Sequence, residues 1–370
     1  MKNQNDNPFI IYTGRYTEGE ILSGPEKTAK RIFELHSKYF KTAFVQYFFD
    51  GSRYGIFKKL FGKESKQINN NAVLYTVGLF RYSFLLLSLK PDIIHIITFE
   101  RFAVLTFFAR MLRKFKVIYN SHGVIAYENE KIKKSGYFYS LKDKFCERRF
   151  LKKADKIILP GESTFYVLTK YYSIEKRKLE IVPNGIDGVF NSVERRESSP
   201  IVKAVILNSS AYSKSGVDFL NKISASVDFP LEIYSIGKNS EIMVNNSNIS
   251  LYYIDKLNTA GLAEFYRDKN VFLSLNDYDT FSISSAEAMA AGLILIVTEN
   301  TGISVFIKDG VNGFKMKYGD TDILLNNLKK ISAGAELRSN ISTNSRAIFT
   351  SINWDYIYKG YFNIYSNILK

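Results

Sequence analysis

A chain of 370 residues with 46% hydrophobic content is long enough for two domains of ordinary size and apolar enough to bury a core in each. Its net charge of +15 suits an anionic substrate, an anionic membrane or nucleic acid, but no zinc-ligand spacing, RNP-like string or arginine-rich run supports the last. The single cysteine, Cys146, excludes an intramolecular disulfide and reads as a packing residue in a reducing cytoplasm. No run long enough for a membrane span occurs, and residues 1–8 lack the apolar stretch of a signal peptide.

Short apolar runs at 9–13, 43–49, 72–77, 93–98, 117–121, 156–159 and 179–182 alternate with helical patterns, which predicts βαβ units on a parallel sheet. After the first run, Gly14 and a polar loop lead to Ser23-Gly24-Pro25-Glu26 and a helical pattern over 30–35. A strand, a glycine-containing loop and a helix start make an anion-binding mouth; Ser23 and Glu26 equally fit a capping box with no ligand. The stretch 53–63 interleaves lysines with Ile56, Phe57, Leu60 and Phe61, as either an interfacial segment or the solvated basic edge of a core helix. Residues 69–71, three asparagines, read as a loop. Residues 102–112 are apolar on nearly every side, as in a helix packed on a sheet, and Arg110, Arg113 and Lys114 suit its C-terminal end. His36 and His95 fall inside a helical and a strand pattern and read as structural, whereas His122 ends a strand; the three are too scattered to propose a metal site.

A polar stretch at 191–200 reads as an interdomain linker. Beyond it, strands are expected at 202–208, 231–236, 249–253, 271–275 and 293–298, with helices at 216–226, 259–267 and 284–291, so a second doubly wound domain follows. Ligands of such sheets bind beyond the carboxyl ends of the strands. The aromatic stretch from Asn353 to Ile368 has a helical pattern, with Trp354 as a packing anchor.

The chemistry concentrates in Asp279-Thr-Phe-Ser-Ile-Ser-Ser-Ala-Glu287-Ala-Met-Ala-Ala-Gly292, followed by Asp309-Gly-Val-Asn-Gly313-Phe. Two carboxylates eight positions apart bracket a loop and a helix start, so that both can reach one ligand. This segment resembles the E-x7-E signature of retaining GT-B glycosyltransferases of the family 4 type. Asp279 stands for the first Glu, and Thr280 and Ser282 replace two glycines. Upstream, Ala154-Asp-Lys-Ile-Ile-Leu-Pro-Gly-Glu-Ser-Thr and Pro183-Asn-Gly-Ile-Asp187 are similar to the passage that closes the first domain in that family, in the same order and at similar spacing. Ser209-Ser-Ala-Tyr-Ser-Lys214-Ser-Gly216-Val-Asp218 resembles the stretch in which an Arg and a Lys clasp the diphosphate. Aligned on Gly216, Ser210 takes the Arg position and Ser215 the Lys position, and a one-residue insertion makes Lys214 the lysine.

The resemblance implies two Rossmann-like domains facing across a cleft: 1–190 for the acceptor, 200–350 for the nucleotide sugar, and a helix at 352–370 crossing back to the first. It implies retaining transfer of a hexosyl or N-acetylhexosaminyl unit from a nucleoside diphosphate sugar to a hydroxyl acceptor, a glycan or lipid-linked glycan of a surface polysaccharide. In that scheme Glu287 holds the ribose hydroxyls, and Asp279 and His122 lie at the transferred sugar. Lys214, Gly24, Ser210 and the N–H groups of Phe281, Ser282 and Ile283 surround the diphosphate. Gly237 and Lys238 are candidates to meet the base. Asp277-Tyr-Asp279 spells D-x-D, but its position inside the two-domain signature implies no metal, and no cofactor is expected. Localisation is expected in the cytoplasm, at the inner face of a membrane if the acceptor is lipid-linked. Two other readings remain open: a degenerate scaffold that binds nucleotide sugar or a partner without transfer, and a basic nucleic-acid binder.

Overall fold

The computed structural model describes residues 8–48, 55–132, 137–196, 201–208 and 214–370. The chain divides into two compact units, Met1–Pro183 with Ile357–Lys370, and Asn184–Tyr356.

The first unit runs β1 (Ile10–Thr13), α1 (Gly24–Ser37), β2 (Thr42–Tyr47), α2 (Ile56–Phe61), β3 (Lys63–Asn69), β4 (Ala72–Val77), α3 (Leu79–Leu89) and β5 (Ile93–Ile96). It continues through α4 (Thr106–Leu112), β6 (Lys116–Asn120), α5 (Ile125–Ile132), α6 (Tyr137–Lys153), β7 (Lys156–Leu159), α7 (Glu162–Tyr171) and β8 (Leu179–Ile181). The sheet order is β3-β4-β2-β1-β5-β6-β7-β8, parallel except for β3 against β4. Every residue of β1 and β5 is buried, as both faces of a parallel sheet require. On one face Tyr82, Leu86, Phe107 and Phe150 pack on Ile11, Ile94 and Val117.

The other face is polar and hydrogen-bonded. Tyr12 donates to the Tyr365 hydroxyl at 3.2 Å, and Tyr365 meets His95 Nδ1 at 2.9 Å. His95 Nε2 meets Asn120 Oδ1 at 2.9 Å, and the Asn120 amide donates to Tyr361 at 2.8 Å. His36 Nδ1 lies 2.9 Å from the Tyr358 hydroxyl. Burial pushes His36 down to about 4 and His95 down to about 3, so both are neutral packing groups at pH 7, as the sequence suggests.

Two features depart from the sequence reading. β3 is an added antiparallel edge strand, with no buried residue; its polar, lysine-bearing run has no alternation to betray it, and such charges block further strand pairing. The expected helix at 102–112 breaks into a 3-10 turn, Arg101–Leu105, and α4, at Thr106, whose hydroxyl bonds Tyr82 at 2.7 Å.

The second unit runs α8 (Gly188–Asn191), β9 (Val202–Leu207), α9 (Lys214–Ile223), β10 (Leu231–Ile236), β11 (Ile249–Ile254), α10 (Thr259–Phe265) and β12 (Val271–Ser274). Then follow α11 (Ile283–Ala290), β13 (Ile294–Thr298), β14 (Phe314–Met316), α12 (Thr321–Ala333), α13 (Ala335–Ser345) and α14 (Ile348–Ile352). Its all-parallel sheet has the order β11-β10-β9-β12-β13-β14. β14 was too short to be legible as a strand.

The unit boundary at Pro183/Asn184 precedes the polar stretch expected to be a linker. The described part of that stretch is tied into the second unit: Arg346 donates to the carbonyls of Asn191 and Val193, and Phe190 packs on Tyr266. α15 (Trp354–Ile368) starts in the second unit and ends in the first. Trp354 is buried over Gly185, where a Cβ would lie 2.3 Å from the indole; no side chain larger than hydrogen fits between them.

Candidate functional site

In the second unit the chain moves outward from β9 through β10 to β11, then returns to β12 on the other side of β9. The crevice beyond the carboxyl ends of β9 and β12 is therefore the switch point at which such sheets bind ligands. Two helices start at this edge. α9 begins at Lys214, and its first turn is pinned to the loop after β12: Ser215 Oγ donates to Asp277 Oδ1 at 3.2 Å and accepts the Asp277 N–H at 3.1 Å. Gly216 permits this approach, since a Cβ there would meet Asn276 Oδ1 at 2.9 Å.

The loop then turns through Asp279 into α11. Asp279 Oδ1 accepts the Phe281 N–H at 3.1 Å, and the Asp279 carbonyl accepts from Gly302 at 3.1 Å. Burial pushes the Asp279 carboxyl up, opposed by hydrogen bonds from the backbone of Phe281, Ser282 and Thr280 and the Ser282 hydroxyl. The acid thus folds its own loop, and the Phe281 N–H, expected to face a diphosphate, already has an acceptor. Ser282, the N-cap of α11, has φ 71°, ψ 72°. That left-handed conformation is one that glycine adopts freely and an L-residue pays about 1–2 kcal/mol to hold. Its hydroxyl lies 2.7 Å from that of Ser285.

Ile283 opens α11 and Glu287 lies in its second turn, with 2% of its surface exposed. Burial, and then the Glu287 charge, hold the phenol of Tyr266 well above its usual range. Lys214 is exposed and paired with Asp218 at 2.9 Å, one turn along α9. Ser210 lies outside the described residues. Gly237 takes φ 88° after β10, and the Lys238 ammonium lies 5.2 Å from the centre of the Tyr253 ring. Asp309 and Asn312 fold their own turn: Asp309 accepts the Lys315 N–H at 2.8 Å and Asn312 that of Lys308 at 2.7 Å.

The first unit has its own switch point, between β1 and β5. Gly14, φ 151°, lets the chain leave β1 against Thr98, whose hydroxyl accepts the Arg15 N–H at 2.8 Å. Arg15 pairs with Glu100 at 3.3 Å. Burial pushes Glu100 up to about 7, against the opposing pull of Arg15. Neither residue was singled out from the sequence, although each is a charge within four positions of a strand end, that of β1 or of β5. At the start of α1, Glu26 accepts the Ser23 N–H at 3.0 Å and the Ser23 hydroxyl at 2.7 Å, so the capping alternative is realised next to Gly24.

His122 follows β6. Burial lowers it to about 4, against the Ile97 carbonyl, which lies 2.8 Å from Nε2. A carbonyl only accepts, so Nε2 carries the proton and Nδ1 is the acceptor. At neutral pH His122 is therefore uncharged.

Residues 65–188 match the family model Glycosyltransferase Family 4, and residues 246–348 match Glycosyl transferases group 1. The chain is a GT-B glycosyltransferase of the family 4, group 1 type. Sucrose-phosphate synthase from Thermosynechococcus elongatus superposes with a TM-score of 0.73 at 13% identity, over 98% of this chain and 99% of that one. Anabaena HepE in complex with UDP-glucose gives 0.72 at 14% identity, over 98% and 100%. A Klebsiella pneumoniae protein described as an uncharacterized 41.2 kDa protein in the cps region is 22% identical over 286 residues, 72% of this chain and 75% of its own. Within this family the departures at Asp279, Thr280 and Ser282 fall on one loop, the loop that Asp279 itself closes. No helix among the described residues is long and apolar enough to cross a membrane.

Proposed function

We propose that this glycosyltransferase takes a hexosyl or N-acetylhexosaminyl unit from a nucleoside diphosphate sugar and passes it, with retention, to a hydroxyl on a glycan or lipid-linked glycan. The observation that carries the reading is the second unit's switch point, where the starts of α9 and α11 and the Asp279 loop meet at one sheet edge. Helix starts present unpaired N–H groups to an anion. In this reading the N–H groups of Ser282 and Ile283, with Lys214, offset charge developing on the departing diphosphate. Glu287 accepts from the ribose hydroxyls, and Asp279 positions both the loop and the donor sugar. In the first unit His122 Nδ1 is a neutral acceptor suited to an acceptor hydroxyl, and the Arg15–Glu100 pair follows the strands β1 and β5 of that unit's own switch point. No metal or cofactor has a role in this scheme. HepE, solved with UDP-glucose, supports a nucleotide-sugar donor, and the cps-region relative supports a surface polysaccharide as the destination.

The test is a thermal shift of the purified chain against UDP, GDP, ADP, CMP and dTDP, since a ligand that binds only the folded state raises its stability. One selective nucleotide, with the shift abolished in Glu287→Ala, is the expected result, followed by turnover with the matching sugar. The engagement of the Phe281 N–H by Asp279 and the lack of the diphosphate arginine favour one alternative, a scaffold that binds without transfer. A selective shift with neither transfer nor donor hydrolysis would select it.

A further inference from the structure

We propose that the outer helical layer of the first unit, formed by α2, α3, α4 and α6, docks on a lipid bilayer rich in anionic headgroups. The layer is apolar where a solvent-facing layer is ordinarily polar. Phe57, Phe80, Phe84, Phe108, Met111 and Phe145 each leave 57–79% of their surface exposed. α3 spends Tyr82, Leu85 and Leu86 on the core and still carries Phe80 and Phe84, one turn apart, on its other side. α2 buries no side chain at all, which decides between the two sequence readings of the 53–63 stretch, as far as it is described, against a core helix edge.

These side chains are not scattered. Phe57 and Phe61 lie 5.4 Å apart, and Phe61 stacks on Phe80 at 5.1 Å, joining α2 to α3. α3 packs beside α4, and the 3-10 turn before α4 packs on α6. There Leu141, Phe145 and Cys146 line an apolar groove together with Arg101 and Lys142. Exposed apolar side chains carried on four helices that pack in succession mark an interaction site.

Charge selects the occupant. α2, α3 and α4 contain no acidic residue, and they carry Lys58, Lys59, Arg81 and Arg110 among their aromatics, of which Lys58 pairs with Glu64 of β3 and Arg110 with Asp155 at 2.8 Å. α6 adds Lys142, Lys144, Arg148 and Arg149. Its two acids are occupied: Asp143 pairs with Arg101, and Glu147 is buried, accepting the N–H groups of Ile125 and Ala126. A second copy would bring cations against cations. An anionic bilayer accepts both classes of side chain, apolar groups below the headgroups and lysine and arginine among them.

The proposal does not depend on which nucleotide the second unit binds. It is tested by flotation of the full chain with phosphatidylcholine vesicles and with vesicles of equal parts phosphatidylcholine and phosphatidylglycerol. Binding to the mixed vesicles is expected to be at least about tenfold tighter, and to weaken as salt is raised. Phe80→Ser with Phe84→Ser, and separately Lys142→Glu with Lys144→Glu, should each lower it by about tenfold or more without altering the melting temperature or any nucleotide-induced shift. Equal binding to both vesicles, or binding to neither, overturns the proposal. So does a lipid-free dimer that the phenylalanine variant dissociates, since that assigns the face to a second copy. A chain inactive on every nucleotide that still floats would leave this inference standing while the donor reading fails.

Discussion

The two units build similar sheets around different interiors. Behind the crevice strands of the first, Tyr12, His36, His95, Asn120, Tyr358, Tyr361 and Tyr365 form hydrogen-bonded pairs and chains, completed only by the last helix of the chain. The second is filled largely by aliphatic side chains such as Val217, Leu220, Ile233, Leu273, Ile296 and Leu328, and a left-handed serine, Ser282, stands in the loop that shapes its crevice. A buried polar network fails when one member is lost, because the remaining groups cannot find water. An aliphatic core loses stability in proportion to the volume removed.

The largest effect should come from Tyr365→Ala, which empties a fully buried aromatic site and strips partners from His95 and Tyr12. A loss of about 3–5 kcal/mol in urea unfolding is expected. Tyr365→Phe, which changes almost no volume, should still cost about 1–3 kcal/mol. A neutral phenylalanine variant would show that the network is packing alone.

The pH dependence of stability should also reside in the first unit. Burial raises Glu100 and Glu147 to about 7, so the native state holds their protons more tightly than the unfolded chain. Their contribution is complete below the ordinary value near 4.5 and is lost as pH rises to about 7. His36, His95 and His122 are lowered to about 4, 3 and 4, so theirs is complete above 6.5 and lost as pH falls toward those values. The two trends oppose each other between about pH 4.5 and 6.5. In the double variant Glu100→Gln, Glu147→Gln the urea midpoint should climb more steeply with pH across that window than in the parent; parallel curves would remove the acids from the account.

In the second unit, Gly302→Ala would place a Cβ 2.3 Å from the Thr280 carbonyl oxygen and 2.9 Å from Phe281 Cα. Backbone must move, at a cost of about 1–3 kcal/mol, and any nucleotide-induced thermal shift should disappear with it. Ser282→Gly should do the reverse, raising stability by about 1 kcal/mol as the left-handed strain is relieved. A lower melting temperature would mean that the hydroxyl contact with Ser285 outweighs the strain. Lys214→Ala should be smallest of all for stability, within about 0.5 kcal/mol, because it removes an exposed ion pair. Unchanged nucleotide binding in that variant would take Lys214 out of the donor site.

Much of this was legible in the chain. Strands 72–77, 156–159 and 231–236 fall where the apolar runs place them, and Trp354 and His95 are packing groups. β3 was not legible, because an exposed edge strand needs no apolar period, and β14 was too short to show one. The capping of α1 by Glu26 and the interleaving of aromatics with lysines over 53–63 were both read as two-way choices, since each pattern serves two environments equally well. Which environment applies depends on neighbours distant in sequence.

The sequence by itself determined the alternation of elements, hence two parallel sheets, and the family to which the chain belongs, because hydrophobic period and motif order are local properties. Tertiary structure alone decided that Asp279 holds its own loop, that Ser282 takes a left-handed conformation and that His122 is neutral. It also brought Arg15 to Glu100 and left Phe80, Phe84 and Phe108 of α3 and α4 outside the core. Each of these depends on burial, and burial is fixed only when residues far apart in the chain compete for the same space.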